Sequence, residues 1–146
     1  KESASMSSLD FQPATRGASD TKTAAIRVLV VDDNQDGAEM LAEILSLHGY
    51  ETRIAQDASS ALRVAAEFTP EIAFLDIGLP VMDGYELAAR LREVPSLAKL
   101  HLIALTGYGQ SEDRRRTREA GFQQHLVKPV DMDAIDAALR EARKGN

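Results

Sequence analysis

Five side chains that could act as a nucleophile, a metal ligand or a charge-stabilising group lie at the ends of short apolar segments. Three are carboxylates, one is a hydroxyl and one is an ammonium: Asp32, Asp33, Asp76, Thr106 and Lys128. Asp76 is the most informative, because it ends the apolar pair Phe74-Leu75 and precedes a turn containing Gly78 and Pro80. A buried strand that stops on an acid and then breaks places its carboxylate at the mouth of a sheet. That position suits a nucleophile or a metal ligand better than a core residue.

Strand-like and helix-like segments alternate along the chain from Ile26 onward. Strands are predicted near residues 26–32, 51–55, 71–76, 100–105 and 125–127. The periodicity predicts helices near residues 38–45, 57–68, 84–93, 111–120 and 131–143, with Asp57, Ser111 and Asp131 as N-caps. Five β–α pairs indicate the α/β class, with a doubly wound, five-stranded parallel sheet covered by helices on both faces.

The expected topology brings the five candidate groups together. Open parallel sheets bind ligands beyond the carboxyl ends of their strands, where the strand order reverses. In the order 2-1-3-4-5 of flavodoxin-like (βα)5 sheets, strands 1 and 3 flank that point. Asp32, Asp33 and Asp76 would therefore share a crevice, and Thr106 and Lys128 would line it from strands 4 and 5.

Three carboxylates in one crevice repel one another unless a cation neutralises them. Because no His or Cys lies near them in the pattern, the oxygen-only ligand set favours a hard ion, above all Mg²⁺. Asp76 could then attack a phosphoryl group and form an aspartyl phosphate, with Lys128 and the Thr106 hydroxyl meeting the charge on the transferred oxygens. The alternative is that these acids only cap the following helices, a role that Asp33 or Asn34 could fill.

Composition sets broad limits. The chain has 146 residues, enough for one domain with a proper core, and residues 26–143 are expected to form it, with a linker or tail at 1–25 and a short tail at 144–146. A net charge of -6 argues against bulk attraction to nucleic acid, and the absence of Cys excludes disulfides and thiolate metal sites. No apolar run approaches the length of a membrane span, so a cytoplasmic domain without membrane contact is expected.

The sequence resembles the receiver domains of two-component response regulators over about residues 26–143. The resemblance rests on the acidic pair Asp32-Asp33, on Asp76 within FLDIGLPVMDGYEL, on Thr106 within ALTGY and on Lys128-Pro129. It implies that Asp76 accepts a phosphoryl group from a phosphohistidine on a histidine kinase or a histidine phosphotransfer protein. Such a domain is not a turnover enzyme beyond its own phosphorylation and dephosphorylation.

The resemblance also implies roles for the neighbouring residues. The Asp33 and Asp76 side chains and the Gly78 carbonyl would ligate Mg²⁺, with Asp32 acting mainly through water. Lys128 would pair with the phosphoryl oxygens, and the Lys128-Pro129 peptide would be cis.

Three positions depart from the commonest receiver pattern. His125 occupies the conformational switch position, three residues before Lys128, where Tyr or Phe is usual; the alternative is a partly buried polar residue. Gly78 carries no side chain that could obstruct an attacking water, whereas the bulky Tyr108 could shield the site.

Other motifs are weaker. Residues 32–43 match the EF-hand loop expression, but a strand precedes them where a helix is required, and Glu39 stands where that loop needs an apolar residue. The arginines of residues 114–118 favour a salt-paired helix face, with partner docking on the helix 111–120 face as the sharper alternative. His48 and His101 are expected to be structural.

Two other functions remain open at this stage. A degenerate receiver could act as a binding module without phosphorylation. An Asp-nucleophile phosphatase of the haloacid dehalogenase type would need a second Asp two residues after the first, where Gly78 stands.

The chain is expected to be the carboxyl-terminal receiver of a hybrid sensor histidine kinase, with a free-standing regulator as the alternative.

Overall fold

The computed structural model describes residues 25–79, 82–107 and 114–144 of the chain. The five strands are β1 (Arg27–Val31), β2 (Glu51–Ala55), β3 (Ile72–Asp76), β4 (His101–Thr106) and β5 (Gln124–Val127). The helices are α1 (Gln35–Leu47), α2 (Ala58–Phe68), α3 (Gly84–Arg92), α4 (Arg114–Glu119) and α5 (Met132–Lys144), with a 3₁₀ turn at Pro95–Leu97. Residues 1–24 of the predicted tail at 1–25, residues 145–146 of the tail at 144–146, Tyr108 and the Ser111 cap lie outside the described residues.

The strands form one parallel sheet in the order β2-β1-β3-β4-β5, which confirms the predicted doubly wound α/β fold. The central strand β3 is buried along its whole length, and the chain reverses its direction of winding between β1 and β3. The mouth of the sheet at this reversal is where the fold offers a ligand crevice.

Two apolar cores cover the two faces of the sheet. On one face, buried side chains of α1 and α5, such as Leu45 and Leu139, pack against Val30 and Phe74. On the other face, buried side chains of α2 and α3 pack against Leu29, Leu75 and Leu102. Since both faces are covered, the inner strands β1, β3 and β4 are mainly continuous apolar runs, whereas the edge strand β2 alternates between exposed and more buried residues.

Side-chain caps fix the start of four helices, and these starts point toward the mouth of the sheet. Asn34, Asp57 and Asp83 each accept a hydrogen bond from the backbone N–H three residues later, at 2.7–3.1 Å. Asp131 accepts one from the Ala134 N–H at 2.8 Å. The predicted caps Asp57 and Asp131 are therefore confirmed, and Asn34 rather than Asp33 caps α1.

Arg92 ties the end of α3 to the two strands beyond it. Its guanidinium donates to the carbonyls of Leu100 and Gly121, the latter at 2.7 Å, and to the Gln123 side-chain oxygen at 2.9 Å. That Gln123 oxygen also accepts the Leu102 N–H at 2.8 Å. The far end of α3 is therefore fixed to the sheet by a polar network in addition to its apolar face.

None of the helices in the described ranges has the length and apolar character needed to cross a bilayer.

Candidate functional site: an acidic pocket at the mouth of the sheet

The ends of four strands position the predicted site residues. Asp76 and Thr106 are the last residues of β3 and β4, and backbone bonds continue the sheet just past the ends of β1 and β5. The Asp32 N–H donates to the Ala55 carbonyl at 3.1 Å, and the Lys128 N–H donates to the Thr106 carbonyl at 2.7 Å. These bonds fix the first residue after each strand, so side chains from sequence positions 32 to 128 meet at one edge.

The three predicted acids lie together. Asp32, Asp33 and Asp76 each present one carboxylate oxygen within 4.8 Å of the others. Asp32 and Asp76 are buried at 4% and 7% exposure, whereas Asp33 is exposed at the rim. The cluster therefore has two buried carboxylates and one carboxylate that faces solvent.

Lys128 contacts both buried acids. Its Nζ lies 2.8 Å from Asp32 Oδ2 and 3.3 Å from Asp76 Oδ2. Its peptide bond to Pro129 is cis, as the resemblance implied. The ammonium thus compensates one of the three negative charges of the pocket, and two remain when all the acids are ionised.

Asp76 is held by donors on both oxygens, yet its pKa is raised. The Gly78 N–H donates to Oδ1 at 2.9 Å, and Lys128 approaches Oδ2. Burial is the largest influence on the pKa of Asp76 and raises it, the neighbouring Asp32 raises it further, and the Gly78 and Lys128 contacts only partly offset these effects. For Lys128, burial alone would lower the pKa, but the hydrogen bond to Asp32 and the charges of both acids raise it.

The raised pKa of Asp76 leads to a stability prediction. The folded state holds this proton more tightly than the unfolded state, so stability falls as pH rises above the ordinary aspartate value of 3.8 through the folded pKa. Without divalent cations at pH 7, we expect Asp76→Asn to be more stable than the wild type by ~1 kcal/mol, or several degrees in the midpoint of thermal unfolding. The difference should vanish below pH 3.

Urea unfolding in EDTA at several pH values measures this difference. Two results would contradict the assignment of an unfavourable buried charge to Asp76. One is a variant that is less stable than the wild type at pH 7, and the other is a gain in stability of the same size at every pH.

The chemistry of the pocket fits a hard divalent cation. Its donors are carboxylate oxygens from three residues with a net negative charge, and no softer ligand belongs to the described cluster. Oxygen donors of this kind are preferred by Mg²⁺ and Ca²⁺. The EF-hand alternative fails, because α1 begins at Gln35 and Asn34 caps it, so the ligand loop is replaced by a helix.

The two predicted switch residues, Thr106 and His125, do not belong to the acid cluster. Thr106 is buried, and its hydroxyl donates to the Leu126 carbonyl at 3.4 Å, longer than a usual O–H···O bond. His125 is half-buried in a separate cavity of about 260 Å³ lined also by Thr117 and Arg118 of α4. Thr106 therefore lies at the end of β4, at the same edge of the sheet as Asp76, and His125 lies in a separate cavity beside α4.

His48 and His101 fill structural positions, in line with the prediction. The His48 ring lies 2.9 Å from the Ile44 carbonyl at the end of α1, and the His101 ring lies 2.9 Å from the Gln124 amide. Burial lowers the pKa of His101.

An open, largely apolar cavity of about 440 Å³ adjoins the pocket. Asp32 and Lys128 form its polar end, and Met40, Ile44 and Val130 are among its apolar walls. Met40 is 64% exposed. The pocket is thus bordered by an apolar surface between α1 and the start of α5, a feature that the sequence reading missed because it needs two distant segments in contact.

Comparison with known families agrees with the fold and the site. Residues 28–140 match the model of the response regulator receiver domain, so the chain belongs to that family. Its function class is a phosphoacceptor receiver domain of two-component signalling, as the resemblance implied.

Individual relatives share this architecture. The chain is 34% identical over 112 residues to the sensor histidine kinase RcsC of Salmonella typhi, covering 77% of this chain and 12% of RcsC. It is 30% identical over 115 residues to sporulation initiation phosphotransferase F of Bacillus subtilis, covering 79% and 91%. A crystal structure of the signal receiver domain of a histidine kinase from Syntrophus aciditrophicus superposes with a TM-score of 0.73 at 29% identity, covering 83% of this chain and 92% of that one.

Proposed function

We propose that Asp76 is the phosphoryl acceptor of this receiver domain and that the transfer depends on Mg²⁺. The observation that carries the proposal is the position of the Asp76 carboxylate, which lies at the end of the central strand between Gly78, Lys128 and two further acids. A nucleophilic carboxylate needs access for the donor and cations that hold its charge. The exposed Asp33 marks the solvent-facing side of the pocket, and Lys128 is one such cation.

Phosphoryl transfer would replace a P–N bond of the donor with a P–O bond to Asp76. An oxygen of the Asp76 carboxylate attacks the phosphorus of a phosphohistidine, the P–N bond breaks, and the imidazole leaves with uptake of a proton. The product is an acyl phosphate on Asp76. Hydrolysis ends the signal: a water attacks the phosphorus, the bond between phosphorus and the Asp76 oxygen breaks, and inorganic phosphate leaves behind the free carboxylate. Gly78, with no side chain, leaves room for that water.

Lys128 would pair with the transferred phosphoryl group in this step. In the present structure its ammonium pairs with Asp32 and Asp76. Once the phosphoryl group occupies the mouth of the site, Lys128 can move from the Asp76 oxygen to a phosphoryl oxygen while it keeps Asp32 as its second partner. The ammonium then stabilises charge that develops on the transferred group.

Thr106 and His125 are the proposed signalling residues. The long bond between the Thr106 hydroxyl and the Leu126 carbonyl is weak, so the hydroxyl can exchange it for a phosphoryl oxygen. That exchange would loosen β5 beside His125, which lines the cavity under α4. His125 would then report phosphorylation to the α4 face.

Bound Mg²⁺ would act as a Lewis acid that neutralises charge on the phosphoryl oxygens. Among the chain's own groups, the Asp33 and Asp76 side chains and the Gly78 carbonyl are the proposed ligands. Asp32 is engaged by Lys128 and by the Asn34 N–H, which suits a contact through water.

The proposed partner is a histidine kinase or a histidine phosphotransfer protein, encountered in the cytoplasm. A donor imidazole must approach Asp76 from the open side of the sheet. The apolar surface with Met40 and Ile44 borders that side and offers a contact area for a donor helix. The exposed Arg115 and Arg118 of α4 belong to the second proposed docking surface, the helix 111–120 face.

Intact mass measurement with a small phosphodonor tests the proposal. Incubation of the wild-type chain with acetyl phosphate and millimolar Mg²⁺ should add a single phosphoryl group, and EDTA should suppress the adduct by at least ~100-fold in rate, because one preorganised charge contributes about that much. Steady release of phosphate from small monoesters without an adduct would indicate a phosphatase instead. No adduct under either condition would indicate a binding module that takes no phosphate.

A further inference from the structure

The first residue of α3 lies in direct contact with the backbone that carries Asp76. A Cβ added at Gly84 would stand 2.6 Å from the Ile77 Cα, 2.7 Å from the Asp76 carbonyl oxygen and 3.1 Å from the Asp76 carbonyl carbon. The Gly84 N–H also donates to the Ile77 carbonyl at 3.2 Å. All three close atoms are backbone atoms, so no side chain can rotate away to make room. Unbonded carbon atoms need about 3.5 Å, and a methyl group at this position would have to push the two segments apart by roughly 1 Å.

Neither segment can move away cheaply as a rigid body. Asp76 pairs with Leu105 in the middle of the sheet, and the Ile77 N–H donates to the Leu105 carbonyl at 3.1 Å. On the other side, α3 buries Leu87 and Leu91 completely in the core. The Arg92 network described above fixes the far end of the same helix. The displacement would therefore fall on the short segment that runs from Asp76 into the turn.

That short segment holds two groups of the proposed site. The Asp76 carboxylate is oriented by the Gly78 N–H, and Gly78 is also the proposed carbonyl ligand. A shift of about 1 Å in the peptide between them changes both the direction of the nucleophile and the spacing of two ligand atoms. Displacements of that size are enough to slow a preorganised reaction by about two orders of magnitude.

We propose that Gly84 is a positioning residue for phosphoryl transfer. Its bare Cα lets the start of α3 rest against the peptide after Asp76, and this contact holds the Asp76 carboxylate and Gly78 in the arrangement that metal binding and transfer require. The inference rests on the proposed function. Because Gly84 touches neither the donor nor the metal, its effect is exerted through the backbone alone.

A pair of variants in α3 tests this role. Gly84→Ala carries the clash, whereas Ala89→Gly is the matched control, since it lowers the helix propensity at an exposed position of the same helix α3 and adds no atom. Three quantities are measured for both variants and the wild type: the midpoint of thermal unfolding, the rise of that midpoint with Mg²⁺ in the absence of any donor, and the phosphorylation rate with acetyl phosphate at saturating Mg²⁺. Rates are compared at 10 °C and normalised to the folded fraction from circular dichroism.

We expect the folded Gly84→Ala protein to be phosphorylated at least tenfold more slowly than the wild type and to gain less stability from Mg²⁺. Ala89→Gly should lower the unfolding midpoint but stay within twofold of the wild type in both respects. If Gly84→Ala lowers only the unfolding midpoint, with an unchanged rate per folded molecule and unchanged Mg²⁺ stabilisation, the positioning role is wrong. A variant that stays unfolded at 10 °C even with a stabilising osmolyte would also overturn it, because Gly84 would then be a requirement of the fold.

The result is separable from the proposed function. A wild-type protein that takes no phosphoryl group removes the proposed function itself, whereas equal rates for the wild type and Gly84→Ala remove only the role of Gly84.

Discussion

Asp76→Asn should abolish the phosphoryl adduct under conditions in which the wild type is fully modified. The amide retains the shape of the carboxylate and can still accept the Gly78 N–H, so the pocket keeps its form while the nucleophile is lost. Removal of an attacking group typically costs several orders of magnitude in rate, and we expect a loss of at least ~10³-fold. Intact mass after incubation with acetyl phosphate and Mg²⁺ measures the remaining adduct.

Asp57→Asn is the matched control for this variant. Asp57 caps α2 through the Ser60 N–H and does not belong to the described acidic cluster, and an Asn side chain can keep that cap. The hydrogen bond to the Ser60 N–H lowers the pKa of Asp57, so the same exchange removes an ionised acid there as well. Phosphorylation of Asp57→Asn should match the wild type. An adduct that persists on Asp76→Asn would show that another side chain is the acceptor.

Lys128→Met should slow phosphorylation by roughly 10²- to 10³-fold while it strengthens Mg²⁺ binding. The slower transfer follows from the loss of a cation that faces the transferred oxygens. The tighter metal binding follows because Lys128 lies 2.8 Å and 3.3 Å from the two buried acids and competes with a metal ion for their charge. Removing this repulsion should lower the Mg²⁺ dissociation constant roughly three- to tenfold, or ~1 kcal/mol at a solvent-facing site.

The phosphorylation rate and the Mg²⁺ affinity of Lys128→Met together distinguish a lost charge from a damaged fold. The variant should be less stable than the wild type in EDTA, because two buried acids lose their partner, and Mg²⁺ should restore much of that stability. Lys99→Met, at an exposed position without a described acidic partner, serves as the control. If Lys128→Met weakens both Mg²⁺ binding and phosphorylation, Lys128 maintains the structure of the pocket instead of acting on the transferred group.

The main features of the fold follow from the sequence because the signals are local. The three inner strands β1, β3 and β4 are mainly apolar runs, the edge strands β2 and β5 are shorter on apolar residues, and each helix has a cap or a glycine at one end. Parallel pairing then places Asp76 and Thr106 at one edge, since the carboxyl ends of all the strands meet there. The acid cluster could be predicted for the same reason: its members directly follow or end the strands that flank the reversal of strand order.

Contacts that join distant segments could not be predicted in the same way. The close approach of Gly84 to Asp76 depends on how steeply α3 leaves the sheet, and the pattern marked Gly84 only as the start of a helix. A charged residue near the end of a surface helix, such as Arg92, is expected to be exposed to solvent. Burial nevertheless lowers the pKa of Arg92, and its guanidinium donates to carbonyls of two other segments. Both effects are set by packing distances that no local pattern encodes.

The pairing within the pocket is the other feature that the sequence left open. Lys128 was expected to meet a phosphoryl group, and in this structure its closest partner is Asp32. In the proposed transfer, the ammonium that the two acids share would pass from Asp76 to the transferred group and keep Asp32 as its partner. The spacing of residues 32, 76 and 128 indicates that they meet, but not which of the acids lies closer.

The most direct test of the central claim is to locate the phosphoryl group on the wild-type chain. After phosphorylation by acetyl phosphate with Mg²⁺, borohydride reduces an aspartyl phosphate to homoserine, and tandem mass spectrometry of the peptides finds the altered residue. We predict homoserine at position 76 alone, at a yield that matches the adduct in the intact mass. Modification at Asp32, Asp33 or a histidine, with unaltered Asp76, would contradict the account.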